Sequence, residues 1–450
     1  MRYKHAFSFL ANNYMSGLKN QDVCQMNILL LGSGARENAL AKSLSESKHC
    51  SKLFIAPGNP GTAAFGTNVP LSLTDFEQIS TFCLSQGVEL LVAGPEEPLV
   101  KGIRDFLENI PGLEKMAIIG PGSAGAMLEG SKAFSKAFMQ RHGIPTARYQ
   151  SFQQHQAKEA IAFLKQLNAP YVIKASGLAA GKGVVIANTF EEAVSELEQM
   201  FGGKFGTAGQ EVVIEEFLKG IECSVFVLTD GHDYVILPEA KDYKRIGEGD
   251  TGLNTGGMGA VSPVPFYDEK LAQLVKERMV EPTIRGLQRE GILYSGFIFL
   301  GLMVVNHEPY LIEYNCRMGD PETEVVIPRL KNDLVDLLYA AGTGKLKNHT
   351  IETDDLTALT VVCVSGGYPE IFQKGFVIAG LDQVAGVEIY HAGTKSEENK
   401  VLTSGGRVLA CTVLAEDIRQ ARAKVYKAIE GIQYQGMYFR RDIGKDLMPE

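Results

Sequence analysis

Glu313, Asn315 and Arg317 stand two residues apart in the run Leu311-Ile312-Glu313-Tyr314-Asn315-Cys316-Arg317-Met318-Gly319-Asp320-Pro321-Glu322. The run opens as an apolar strand, and alternate residues of a strand share a face. A carboxylate beside an amide carbonyl offers hard oxygen ligands, a donor set that suits magnesium. Arg317, one step further on that face, is always charged and can fork onto a carboxylate or a phosphate. One strand end could therefore hold a metal and an anion together, as ATP chemistry requires. The same residues describe equally well an edge strand with a solvated end.

Other groups could complete such chemistry. Lys132 lies early in a helix expected over 131–142, and Lys174 ends an apolar strand over 171–174. The loop Ala175-Ser176-Gly177-Leu178-Ala179-Ala180-Gly181-Lys182-Gly183 follows. It resembles a Walker phosphate loop only superficially. Gly177 and Gly181 are one residue too close, Gly183 replaces the required Ser or Thr, and the loop joins strand to strand. It reads as a flap whose N–H groups and Lys182 fold over phosphates; a plain glycine hairpin is the alternative. A strand over 212–218 ends in Glu215 and Glu216, and Glu222 follows. That pattern fits a hinge for adenine and ribose, or an acidic surface turn. The polar glycine-rich stretch 247–260 is long for a loop in a compact protein, and such loops are usually functional. Its small donors suit a zwitterion or a sugar.

These groups need elements to position them. From Met26 to about Gly120, apolar strands over 28–31, 53–56, 89–93 and 117–119 alternate with helices over 38–45 and 75–86. This is the pattern of a doubly wound parallel sheet, whose ligands bind beyond the carboxyl ends of the strands. The Gly/Pro turns at 32–37, 57–61, 94–98 and 120–121 lie there. Gly32-x-Gly34 begins a dinucleotide fingerprint, but Glu37 occupies the third-glycine position, which argues against NAD. The helix N-terminus there can still receive a phosphate. Strands over 296–305 and 309–314 form a hairpin, with helices over 268–290 and 330–341. Beyond 351, strands over 359–364, 387–391, 402–405 and 408–414 and a helix over 416–429 read as a separate α+β domain.

The 450 residues suffice for two to four domains, and the 45% hydrophobic fraction is ordinary. A net charge of −9 argues against a nucleic acid or an anionic membrane as partner. Seven scattered cysteines with no CxxC argue against a disulfide framework or a zinc site and fit a reducing cytosol. No apolar run approaches the roughly 20 residues of a membrane span. Residues 1–25 read as a poorly ordered extension, and the fold is expected to begin at Met26.

In combination these features resemble the ATP-grasp enzymes, and within them the phosphoribosylamine–glycine ligase (glycinamide ribonucleotide synthetase) family. The carrying segments include Gly32-Ser-Gly-Ala-Arg-Glu-Asn, Ala56-Pro-Gly-Asn-Pro-Gly-Thr, Ala93-Gly-Pro-Glu-Glu-Pro-Leu, Ile173-Lys-Ala-Ser-Gly-Leu-Ala-Ala-Gly-Lys-Gly, Glu239-Ala-Lys-Asp-Tyr-Lys, Asn254-Thr-Gly-Gly-Met-Gly-Ala, Asn315-Cys-Arg-Met-Gly-Asp-Pro-Glu-Thr, Gly405-Gly-Arg-Val-Leu and Tyr438-Phe-Arg-Arg-Asp-Ile-Gly. The resemblance spans about 26–445. It implies a multidomain α/β and α+β protein. An N-terminal doubly wound parallel sheet (26–125) would precede a central ATP-grasp fold (126–350, flap subdomain about 146–218) and a small α+β domain (351–450).

The resemblance also implies the reaction: ATP, glycine and 5-phosphoribosylamine give glycinamide ribonucleotide, ADP and phosphate, through glycyl phosphate, in de novo purine synthesis. It implies a cytoplasmic monomer. Glu313 and Asn315 would hold Mg2+, or Mn2+ in its place. Lys132 and Lys174 would grip the ATP phosphates under the flap of Gly177, Gly181, Lys182 and Gly183. Glu215 and the Leu218 backbone would meet adenine, and Glu222 the ribose. Arg317, with Lys174 and Asp320, would serve catalysis. Asp242, Thr255, Gly256, Arg317 and Asp320 would hold glycine and the sugar, while Gly34, Asn59 and Glu96 would face phosphoribosylamine. Ala35 and Asn38 stand where Gly and His are common in the family, and Ile221, Met318 and Glu324 also depart from its pattern. Two rival readings are a bicarbonate-using ATP-grasp enzyme and a nucleotide-binding regulator without catalysis.

Overall fold

The computed structural model describes residues 25–179 and 183–448. The expected extension over most of 1–25, and the flap residues Gly181 and Lys182, lie outside the described residues.

The first five strands are β1 (Met26–Gly32), β2 (Cys50–Pro57), β3 (Thr67–Asn68), β4 (Val88–Ala93) and β5 (Ala117–Ile119). They form one parallel sheet in the order β3-β2-β1-β4-β5. Both faces are covered, which is why the strands are continuous apolar runs. Leu29 and Leu31 enter one hydrophobic cluster, and Ile28 and Leu30 the other.

The sequence signals for β3 were too short to notice. The turn after β1 folds differently from the expected phosphate cradle. Glu37 bends back and accepts from the Gly34 N–H at 2.6 Å and from Arg36 Nε at 2.6 Å. A side-chain carboxylate therefore caps helix Ala35–Ser45 where an anion could have bound.

Two sheets form the middle of the chain. β6 (Tyr149–Gln153), β7 (Tyr171–Ala175), β8 (Val184–Ala187) and β9 (Glu211–Glu216) make an antiparallel sheet in the order β6-β9-β7-β8. It carries its own cluster, from Phe152 to Ile214. The second middle sheet contains β10 (Ile221–Thr229) and β11 (Tyr234–Ile236). The chain then adds β12 (Lys241–Asp242), the hairpin β13 (Arg245–Gly247) and β14 (Thr251–Asn254), and β15 (Gly259–Ser262). The expected polar loop is thus partly an exposed β-hairpin. β16 (Gly296–Val305) and β17 (Glu308–Asn315) complete the second middle sheet, in the order β11-β10-β16-β17. Cys223, Val225, Leu300 and Leu311 share a core with Leu29 and Leu91, so the N-terminal and middle regions are packed as one body.

The last strands are β18 (Thr357–Val364), β19 (Glu388–His391), β20 (Thr394–Glu397), β21 (Lys400–Thr403) and β22 (Arg407–Ala415). The C-terminal sheet runs β12-β15-β18-β22-β19. Two of its strands come from before residue 263, so the sheet crosses the expected boundary at 350/351. β15 pairs on one side with its sequence neighbour β12 and on the other with β18.

Candidate active site

The strand end β17 owes its aim to an irregularity. Glu313 pairs with Gly301 and Leu311 with Leu302, leaving Ile312 as an extra residue. Such a bulge shifts the alternation of faces. Leu311, Tyr314 and Cys316 enter the core, whereas Glu313, Asn315 and Arg317 are half-buried and line a cleft of about 2000 Å³. Without the extra residue, Leu311 and Glu313 would share a face. Gly301 makes room opposite: a Cβ there would lie 3.0 Å from Glu313 Cγ.

Lysines face this strand. Lys132 opens helix Lys132–Arg141 and Lys174 lies on β7; both line the cleft. Burial pushes Lys132 below its ordinary value, while Glu313 pulls it back up. Lys136, one turn on from Lys132, was not singled out in the sequence, although the i,i+4 spacing puts both on one helix face.

Glu215 ties two of these cations together. Its oxygens lie 2.9 Å from Lys174 Nζ and 3.0 Å from Lys136 Nζ. Burial alone would raise the Glu215 carboxyl, but the two lysines hold it below its ordinary value. Burial brings the Lys136 ammonium down to about 8. Lys136 also donates to Thr146 Oγ1 at 2.7 Å. Glu215 is only 2% exposed. The carboxylate, expected to meet adenine, orients these lysines at the cleft wall. Leu218 lines the cleft beyond it.

At the other wall, Lys244 pairs with Glu222 and, at 3.3 Å, with Asp242. Coulomb attraction from Lys244 lowers Glu222, whereas burial raises Asp242. Glu322 accepts from Ser224 Oγ at 3.1 Å, and burial with nearby Asp242 raises it to about 7. Thr255 Oγ1 donates to the Lys244 carbonyl at 2.7 Å, and the Gly256 N–H donates to Tyr368 Oη at 3.0 Å. Asp320 pairs with Arg407 at 2.9 Å. Arg407 begins β22, so the C-terminal segment reaches the cleft. The segment holding Arg407 was noted in the sequence, but nothing there marked the arginine as a cleft residue.

The residues expected to face phosphoribosylamine lie near one another at one side of the cleft. Glu96 lies 3.4 Å from Arg317 Nε. Gly34 approaches Asp320, since a Cβ there would lie 3.2 Å from its Oδ2. Asn59 is corrected. Its Nδ2 donates to the carbonyls of Ser33 and His391 at 2.9 and 2.7 Å, and its Oδ1 accepts from the N–H groups of Gly61 and Thr62. That side chain is a structural tie, 6% exposed, with no donor left for a substrate. In the flap, Gly177 packs on Ala208, whose Cβ would lie 2.8 Å from an added Cβ, and the Gly183 carbonyl accepts from Ala175 N–H at 2.8 Å.

Glu313 and Asn315 fit a magnesium ion carried by phosphates. Among the described residues no three His, Cys, Asp or Glu side chains converge as a cage. A carboxylate with one amide oxygen is the sparse set that Mg2+ uses beside waters and phosphates. Asn315 Oδ1 accepts from Arg317 Nη2 at 3.2 Å, which keeps it turned into the cleft.

Three matches decide the family. The phosphoribosylglycinamide synthetase N domain matches residues 26–129, its ATP-grasp (A) domain 130–323, and its C domain 358–446. The chain belongs to the phosphoribosylglycinamide synthetase family. A phosphoribosylamine–glycine ligase of Yersinia pestis is 46% identical over 426 residues, covering 93% of this chain and 98% of that protein. One from Chlorobaculum tepidum is 44% identical over 427 residues, covering 93% and 99%. The crystal structure of phosphoribosylamine–glycine ligase from Thermotoga maritima superposes with a TM-score of 0.80 at 35% identity, covering 93% of this chain and 100% of that one. The biotin carboxylase domain of Hydrogenobacter thermophilus 2-oxoglutarate carboxylase superposes at a TM-score of 0.68 with 18% identity, covering 92% of each chain; that likeness concerns the fold. Among the described residues no helix is long and apolar enough to cross a membrane.

Proposed function

We propose that this cleft joins glycine to 5-phosphoribosylamine at the expense of ATP, giving glycinamide ribonucleotide, ADP and phosphate in purine synthesis. The observation that carries the reading is one cleft that brings Glu313, Asn315 and Arg317 opposite Lys132 and Lys174, in a chain of this family along its whole folded length. The name and coverage of the relatives support the choice of substrates.

Glycine's carboxylate is a poor electrophile, so it first takes the terminal phosphoryl group of ATP. The amine of phosphoribosylamine then attacks the carbonyl carbon of glycyl phosphate. A C–N bond forms, the C–O bond to phosphate breaks, and the amine's proton leaves to solvent or a cleft base. Lys132 and Lys174 hold the nucleotide phosphates. The Leu218 backbone meets adenine and Glu222 the ribose. Glu313 and Asn315 would hold Mg2+, or Mn2+, which when bound supplies positive charge to the transferring phosphoryl oxygens. Arg317 adds a preorganised cation at the same place, and Asp242, Thr255, Gly256 and Asp320 receive glycine and the sugar. The reaction requires water to be kept from the acyl phosphate, which it would otherwise hydrolyse. The working unit in this reading is a monomer in the cytoplasm; light scattering of the active protein tests the first point.

ADP release with each substrate omitted in turn tests the reaction. Release should need ATP, glycine and phosphoribosylamine together. ADP release driven by bicarbonate in place of glycine would instead support the carboxylating rival. Tight ATP binding without turnover would support the regulator.

A further inference from the structure

Glu129 stands in the last turn of helix Ser123–Gly130, 8% exposed at the edge of the cleft. Three donors converge on its carboxylate. Arg317 Nη2 donates to Oε1 at 2.7 Å. The Cys316 N–H donates to Oε2 at 2.8 Å, and Cys316 Sγ donates to the same oxygen at 3.1 Å. Asn315 is the last residue of β17 paired to β16, opposite Phe299. The Cys316 N–H is thus the first backbone donor beyond the ladder, and a side chain from another region takes it. One carboxylate fixes the turn between Asn315 and Arg317 together with the guanidinium that follows.

The other contacts of Arg317 are longer: 3.4 Å to Glu96, 3.2 Å to Asn315 Oδ1 and 3.3 Å to the Met318 carbonyl. Glu129 therefore sets the direction of the guanidinium, and the rest trim it. For stability alone an apolar pair would serve as well, because burying a charge pair costs about as much as its attraction returns. What a buried, hydrogen-bonded acid adds is a fixed orientation for a long side chain that would otherwise sample many rotamers.

We propose that Glu129 is a positioning residue for the ligation: it holds Arg317 aimed at the transferring phosphoryl group and locks the strand end that carries Asn315. The proposal rests on the reading of Arg317 given above. Glu129→Gln keeps the shape and an acceptor for the Cys316 N–H but removes the charge opposite Arg317. It should lower kcat by about 10–100-fold, as removal of an orienting partner does. ATP affinity, measured by direct nucleotide binding, should change less than about threefold, since Lys132 and Lys174 are untouched. Glu129→Asp keeps the charge and retracts it, so it should fold normally and still lose kcat.

The deciding experiment uses Arg317→Ala with free guanidinium added to the assay. Activity should return where Glu129 is intact and stay absent in the Glu129→Gln, Arg317→Ala double variant. Equal rescue in both backgrounds, or a wild-type kcat in Glu129→Gln while Arg317→Ala is inactive, overturns the positioning role alone. Full activity of Arg317→Ala overturns the reading of Arg317 and the positioning role with it.

Discussion

Among the described residues, Glu324 is the buried carboxylate with neither oxygen hydrogen-bonded. It is fully buried. Burial, and then Asp320, raise its carboxyl well above the ordinary 4.5, so the folded chain keeps the proton. An unfolded glutamate loses it near 4.5, so above that pH the unfolded chain binds fewer protons and stability falls as pH rises. The slope is about 1.4 kcal/mol per pH unit until the folded group also ionises. Glu324→Gln should match the wild type in melting temperature near pH 4.5 and gain on it steadily as pH rises above that. A gap that does not grow with pH contradicts the neutral assignment. For Glu313→Ala, turnover should drop by at least about 10²-fold while metal-free nucleotide binding persists; a near-normal rate at ordinary magnesium concentration would remove Glu313 from the metal site. At this scale the sequence was readable where chemistry repeats at short spacing, as at Glu313, Asn315 and Arg317. It was unreadable where a partner lies far away. Glu129 is 188 positions from the arginine it holds, and the destination of Glu215 depended on how β7, β9 and helix Lys132–Arg141 meet.

The bulge at Ile312 shows what alternation hides. Leu311-Ile312-Glu313 reads the same in a regular strand and a bulged one, because both place the acid next to apolar residues. Only the pairing with Gly301 reveals the extra residue. Gly301→Ala should press on Glu313 at 3.0 Å and turn the carboxylate aside. The backbone there suits alanine, so stability should hold or rise by up to about 1 kcal/mol. Turnover should fall several-fold, with a higher magnesium requirement. Unaltered kinetics would mean that the close approach does not steer the acid. In the antiparallel sheet β6–β9, β7 and β9 were legible as apolar runs, whereas β6 and the helix Phe190–Gln199 went unread. Its separate core from Phe152 to Ile214 was not legible either, since cluster membership depends on which faces meet.

The whole molecule is held by ties between distant segments, and those were the least legible. The parallel sheet could be read from alternating strands and helices, but the sheet that joins β12 and β15 to β18 could not, because two short strands give no sign of a partner a hundred residues on. Asn59 binds the first turn to the carbonyl of His391, and Asn59→Ala leaves several buried groups unpaired. It should cost on the order of 3 kcal/mol and raise hydrogen exchange near His391. Exchange confined to the 57–62 turn would show that the tie is local. His391 is pushed down to about 4 by burial, so between its ordinary value of 6.5 and about 4 the unfolded chain takes up a proton that the folded one refuses. Stability should fall as pH drops through that window, and His391→Gln should flatten the fall; an unchanged acid limb would assign it elsewhere. The shared sheet also sets an order of events during synthesis. Asp242 and the glycine-rich stretch after it leave the ribosome with β15, ending at Ser262, while β22 ends at Ala415. The strand end that carries Arg317 is made well before β22 is complete at Ala415, so at about 5–20 residues per second a nascent chain spends roughly five to twenty seconds with that strand end made but without Arg407 to pair with Asp320. The wall that Arg407 provides is thus among the last parts of the cleft to be made.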